Sequence, residues 1–188
     1  GGCIGCSEST RAATGMRKIS RNSRARTSAA EEFGGAHTDA LRTEVLEHLR
    51  SEYCGIFPNC AEAYERAVEE RWSLVVGADF LTTVDDIAMP RVGARILDIG
   101  CGYGTFVLAC RLRGYEAIGI DTSTFELRIA RERLRAHGVH GDPETVYQAV
   151  AGERSSFAAG SFDVVTIWNT LEHVPNTAAL LAEANRLL

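Results

Sequence analysis

Apolar residues follow two different rhythms along this chain. From residue 38 to about 88 they recur at helical spacing: Leu41, Val45, Leu46 and Leu49 form one stripe, and Tyr64, Val68, Trp72, Val75 and Val76 form another. Thr38 or Asp39 is placed to cap the first helix, and Asn59 with Glu62 three residues later resembles a capping box for the second. Trp72 and Tyr64 at this spacing read as core rather than as a substrate pocket. Pro58 and Pro90 punctuate the region, and 90–95 reads as the linker into a different architecture. Beyond it come short, nearly unbroken apolar runs. Ile96 to Ile99, Ala117 to Ile120, Thr145 to Val150 and Phe162 to Trp168 read as strands. Between them, Thr105 to Arg113 is helical and stops at Gly114. Ser123 and Glu126 make a capping box for a helix through Leu127, Ala130 and Leu134 that closes at Gly138, and a last helix runs from Thr177 to Leu188.

Strands that are apolar on both faces and alternate with helices predict an α/β fold, a parallel sheet covered on both sides and built from right-handed crossovers. In such sheets ligands sit beyond the carboxyl ends of the strands. Three segments are expected: a basic arm over 1–30, an N-terminal helical extension or lid over 31–90, and the sheet from 91 to 188.

Composition narrows the class. The chain has 188 residues, 45% apolar, with 20 Lys plus Arg against 25 Asp plus Glu, which suits one globular domain. No run approaches the ~20 apolar residues of a membrane helix. Six Cys (3, 6, 54, 60, 101 and 110) form no dense framework, so reduced thiols and a soluble, cytoplasmic protein are expected. The arm carries six basic residues (Arg11, Arg17, Lys18, Arg21, Arg24 and Arg26) and one acid (Glu8). With almost no large apolar side chains it is expected to be disordered, and without interleaved aromatics it gives little reason to expect a nucleic-acid partner. Cys3 and Cys6 form an isolated C-x-x-C, weak evidence for zinc; no metal site is expected.

The chemistry lies after the strands. Asp98-Ile99-Gly100-Cys101-Gly102-Tyr103-Gly104 sets three glycines at alternate positions, which lets the backbone turn tightly and approach a ligand closely. A dinucleotide loop would read G-x-G-x-x-G/A, but position 105 is Thr, and Asp98 would repel a pyrophosphate. The acid favours a cationic ligand. Asp121, 23 residues past Asp98 at the end of the second strand, suits the hydroxyls of a ribose. A ligand with a ribose at one end and a positive charge at the other fits both, and S-adenosyl-L-methionine is such a ligand.

ILDIGCGYGTF (96–106), AIGIDTS (117–123) and SFDVVTIWNTLEHV (161–174) together resemble the class I S-adenosylmethionine-dependent methyltransferases, over roughly 93–188. The resemblance implies a three-layer Rossmann-like methyltransferase fold whose first four parallel strands are present, preceded by N-terminal helices. It implies that Asp98 and the loop Gly100, Cys101, Gly102, Tyr103 and Gly104 hold the methionine part, that Asp121 takes the ribose hydroxyls, and that Thr122 takes the ribose or adenine edge. Where the family often has Asp after the third strand, this chain has Ala151, which leaves adenine to Gly152 and Glu153. Relatives that make ubiquinone carry E-x-x-E-H before the last Val of the third motif. Here Asn169 replaces the first acid, which weakens a metal-linked reading and leaves Asn169 to face the methionine end.

Methyl transfer from a sulfonium needs positioning and exclusion of water, and a general base only when the acceptor must lose a proton. His173 is the candidate base, because imidazole ordinarily titrates near neutrality; a capping or packing role at the strand end is the alternative. Histidines 37, 48, 137 and 140 read as surface. The expected partner is a small-molecule methyl acceptor. A non-catalytic cofactor-binding module is the second hypothesis, and an NAD-dependent oxidoreductase, disfavoured by Asp98 and Thr105, is the third. The chain begins with Gly and stops in the helix after the fourth strand, so 188 residues are expected to be the length of a fragment holding the cofactor half.

Overall fold

The computed structural model describes residues 35–53 and 61–188. The basic arm with Cys3 and Cys6, together with Cys54, Pro58, Cys60 and the Asn59 half of the capping pair, lies outside the described residues.

Three helices come first: α1 (Gly35–Tyr53), α2 (Ala61–Trp72) and α3 (Leu74–Ala88). Leu41, Val45 and Leu49 of α1 are buried against Tyr64 and Val68 of α2, as their spacing predicts. Two expectations fail here. Helix α1 begins before Thr38 and Asp39, so neither residue caps it. The stripe from Tyr64 to Val76 is not one helix, because Ser73 takes an extended ψ of 124° and caps α3, its Oγ accepting the Val75 N–H at 3.2 Å. The apolar period runs on through the break, which hides it in the sequence.

Strand and helix then alternate: β1 (Arg95–Ile99), α4 (Thr105–Leu112), β2 (Glu116–Asp121), α5 (Thr124–Ala136), the short α6 (Pro143–Val146), β3 (Tyr147–Ala149), β4 (Val164–Thr166), a 3-10 turn (Leu171–His173) and α7 (Thr177–Leu187). The four strands are all parallel, in the order β3-β2-β1-β4, with Asp98 beside Gly119 on one side and Thr166 on the other. Gly114 and Gly138, both at positive φ, end α4 and α5 as expected. The third strand starts two residues late, because Asp142 caps a helical turn that has Pro143 at its first position. The fourth pairs with β1 only over Val164–Thr166.

Alternation along β1 sorts the core into layers. Ile96 packs with Leu81, Phe106 and Leu108 on the face covered by α3, α4 and α5, whereas Leu97 and Ile99 pack with Leu180 and Leu187 of α7 on the other. Burial of both faces explains why β1 reads as an apolar run rather than an alternating one. Gly77 lets α3 cross α4 closely, since a Cβ there would stand 2.9 Å from the Thr105 carbonyl oxygen. The N-terminal helices are thereby brought to the carboxyl end of the sheet. No helix among the described residues is long and apolar enough to cross a membrane.

Candidate functional site

At that end the chain encloses a cavity of about 800 Å³. Its floor is the loop between β1 and α4. The Gly100 and Cys101 N–H groups both donate to the Ile120 carbonyl, at 2.8 and 3.1 Å, which folds the loop over the end of β2. Gly100, Gly102 and Gly104 take φ values of 77°, 51° and 73°, the left-handed region where glycine carries little steric penalty.

The cavity wall includes Asp98, Gly100, Cys101, Gly102, Tyr103, Asp121, Thr122, Gly152, Glu153, Asn169 and His173, so the structure gathers these expected site residues around one space. Gly104 is the exception. It stands apart from the cavity against the Tyr147 ring, 2.6 Å from where a Cβ would sit, and its carbonyl accepts the Tyr147 hydroxyl at 2.9 Å. Its role is to seat the loop on β3. Gly152 also has a packing reason: a Cβ there would collide with Ile99 and stand 2.6 Å from Leu180 Cδ1. Tyr103 is buried beneath the N-terminal helices, within the cluster of Leu41, Val45, Leu49 and Val68. Asn169 sits at φ 50°, a left-handed position that Asn tolerates better than most residues. His173 ends the 3-10 turn, exposed, at the cavity edge.

Two carboxylates organise the charge. Asp98 is 3% exposed and accepts the Thr166 hydroxyl at 2.8 Å. Burial, helped by the nearby charge of Asp121 and opposed by the Thr166 hydrogen bond, pushes its pKa up to about 7. Asp121 is held by the backbone: its Oδ2 accepts the Gly102 N–H and its Oδ1 the Ser123 N–H, each at 2.9 Å. Cys101 is also buried, and its thiol is pushed well up by that burial and by Asp98, Asp121 and Glu126. A buried thiol beside three carboxyls is no nucleophile.

Several cavity residues escaped the sequence reading. His48 is not a plain surface histidine; it lines the cavity and stacks on Phe125 with ring centroids 4.1 Å apart. Helices α1 to α3 also contribute Leu49, Glu52, Glu70, Arg71, Val76 and Phe80. Tyr64 and Trp72 are absent from the lining and pack in the core, in keeping with their helical spacing. Ser123 does cap α5, accepting the Glu126 N–H at 3.3 Å, but its own N–H goes to Asp121. The reciprocal half of the expected capping box is therefore taken, and the Glu126 side chain lines the cavity instead. Arg133, fully buried in α5, donates to the Tyr103 carbonyl at 2.7 Å, to Thr105 Oγ1 at 2.6 Å and to the Trp72 carbonyl at 2.7 Å. Thr105 in turn donates to the Arg71 carbonyl, so loop and helix α2 are fastened together. The one advance signal for Arg133 was a cation at a helix position whose neighbours Ala130 and Leu134 read as core.

Residues 97–188 match a family model described as Methyltransferase domain. The chain is 38% identical over 104 residues to the ubiquinone biosynthesis O-methyltransferase of Thiobacillus denitrificans, an alignment covering 55% of this chain and 43% of that protein. Among solved structures it is similar to the YcgJ protein of Bacillus subtilis, at 26% identity and a TM-score of 0.53 over 59% of this chain and 46% of that one. It is also similar to phosphoethanolamine N-methyltransferase 2 of Haemonchus contortus, solved with phosphomonomethylethanolamine and S-adenosylhomocysteine, at 28% identity and a TM-score of 0.52 over 59% of this chain and 26% of that one. The chain spans less than half the length of the curated relatives it matches. A parallel β3-β2-β1-β4 sheet, a glycine loop after β1 and an acid at the end of β2 agree with these matches, and residues 97–188 are a methyltransferase domain of the class I S-adenosylmethionine-dependent family.

Proposed function

We propose that the cavity binds S-adenosyl-L-methionine and that the protein methylates a small-molecule acceptor. The observation that carries this reading is the placement of Asp98 and Asp121 on one cavity wall around the Gly100–Gly102 backbone. A buried carboxyl suits a cationic group, glycines free of Cβ atoms suit close approach, and a backbone-held carboxylate suits hydroxyl donors. A volume of about 800 Å³ is ample for a nucleoside-sized cofactor with room beside it.

When bound, S-adenosylmethionine supplies an electrophilic methyl group carried on a sulfonium. In this proposal Asp98, oriented by Thr166, faces the ammonium end; Gly100, Cys101, Gly102 and Tyr103 line the methionine part, with Asn169 across from them. Asp121 and Thr122 receive the ribose, and Gly152 and Glu153 flank the adenine. Leu49, Val76 and Phe80 of the N-terminal helices, acting as a lid, keep water from the reacting atoms. His173 takes the proton from an acceptor hydroxyl. Oxygen is the first acceptor atom to test, following the named function of the Thiobacillus relative, and nitrogen the second, following the Haemonchus one. A cytoplasmic setting accords with Cys101 and Cys110, which are free thiols.

Calorimetry with S-adenosylmethionine, S-adenosylhomocysteine and NAD tests the binding step, and transfer of a labelled methyl group to a panel of phenols and amines tests the chemistry. Binding of the two adenosyl ligands with no NAD signal is expected. Binding of NAD alone overturns the proposal.

A further inference from the structure

Glu126 is a carboxyl that local structure does not use. At the third position of α5 an acid ordinarily reaches back to the N–H of the capping residue, but that N–H belongs to Asp121. The Glu126 side chain instead lies over the glycine loop, its Oε2 3.5 Å from where a Cβ of Gly102 would stand, and it accepts a hydrogen bond from the Tyr103 hydroxyl. It lines the same cavity as Asp121 and lies close enough to feel that charge. Burial first and Asp121 second push its pKa up to about 7, with Arg71 of α2 and the Tyr103 hydroxyl opposing. A carboxyl held against burial and a like charge lowers stability relative to an apolar residue of similar size, and groups held under such strain cluster at binding sites.

The neighbouring Asp121 supplies the reason for a second group. Each of its oxygens already accepts a backbone N–H, so each has one lone pair left. A vicinal diol brings two donors, each of which also accepts. We propose that Glu126 is a second ribose-positioning residue, sharing the cofactor's two sugar hydroxyls with Asp121 so that the pair reads a ribose rather than a deoxyribose. The inference rests on the cofactor reading above and deepens it by assigning sugar specificity to a residue of α5. Protonated, Glu126 donates to a hydroxyl oxygen; ionised, it accepts from one. The protonated form gives the diol a donor, which the acceptor-only Asp121 does not provide.

The test measures binding of S-adenosylhomocysteine and of its 2′-deoxy and 3′-deoxy analogues to the full chain and to the Glu126→Leu and Glu126→Gln variants. The parent protein is expected to prefer the ribo ligand to at least one deoxy analogue by about tenfold, the worth of one well-made hydrogen bond to a carboxyl. In Glu126→Leu that preference falls toward one while the thermal midpoint holds or rises, so lost binding is not lost folding. Glu126→Gln, which keeps an acceptor and the shape, retains part of the preference. Wild-type ribo-to-deoxy ratios in both variants overturn the assignment to Glu126 and leave the cofactor reading intact. Failure of the parent protein to bind S-adenosylhomocysteine overturns both.

Discussion

The guanidinium of Arg133 lies 4.1 Å from the centroid of the Trp72 ring and donates to the Trp72 carbonyl at 2.7 Å. One side chain of α5 therefore holds the last residue of α2, and through the Tyr103 carbonyl and Thr105 it also holds the glycine loop. A buried cation here is favoured by the aromatic face and by the carbonyls at the end of α2, where the helix dipole is negative. Desolvation still draws its pKa down to about 10.

Arg133→Met is expected to lower stability by about 3 kcal/mol, because three acceptors lose their donor inside the protein. Arg133→Lys retains the charge but not the fork of donors, and is expected to recover less than half of that loss. Urea denaturation measures both. Cofactor affinity is expected to fall with them, since the loop loses its tie to α2.

Asp98 predicts the pH behaviour of the free protein. Its folded pKa, about 7, lies well above the ordinary aspartate value of about 3.9. As pH rises from about 4 to about 7 the unfolded chain loses this proton first, so the Asp98 contribution to stability falls across that window and is level above it. The full effect is on the order of 4 kcal/mol at most. Asp98→Asn is expected to flatten the slope and to raise the thermal midpoint at pH 8, while weakening S-adenosylmethionine binding at least tenfold. Because a cationic ligand favours the ionised carboxyl, wild-type affinity is expected to rise between pH 6 and 8 with proton release below pH 7. Calorimetry in buffers of different ionisation enthalpy reads that release.

Gly104 and Gly138 separate two costs that look alike in sequence. Both have positive φ, at 73° and 61°, but a Cβ on Gly138 meets nothing within 4 Å. Gly138→Ala is expected to cost about 1 kcal/mol for the backbone alone. Gly104→Ala also drives into the Tyr147 ring, and is expected to cost about 1–3 kcal/mol more and to weaken cofactor binding by displacing the loop. Paired denaturation curves give the difference.

His173→Asn tests the assignment of a base. If His173 takes the acceptor proton, kcat is expected to drop by about 10²–10⁴-fold with little change in S-adenosylhomocysteine affinity. Unchanged kcat would make His173 a packing residue.

What could be read in the sequence was whatever short-range chemistry controls. Gly114 and Gly138 mark helix ends because only a left-handed position suits them, and the loop from Gly100 to Gly104 announces itself by spacing. Asp98 and Asp121 were legible because each follows an apolar run that parallel pairing had to bury. The Ser73 break stayed hidden because the apolar period continues across it. The late start of β3 was missed because Asp142-Pro143 is a helix-start signal inside a stretch that otherwise reads as strand.

By itself, then, the sequence determined the parallel sheet, the glycine loop and the two carboxylates at the strand ends, a set that suits a cationic, ribose-bearing ligand, because periodicity and turn chemistry act over a few residues. Only the tertiary structure decided which side chains share the cavity. Arg133 meets Trp72 across 61 residues, and Thr166 meets Asp98 across 68. Glu126 turns from its own helix cap to the cavity because Asp121, on another element, has already taken the Ser123 N–H. Such choices depend on competition among groups brought together by packing, and no local pattern records the winner.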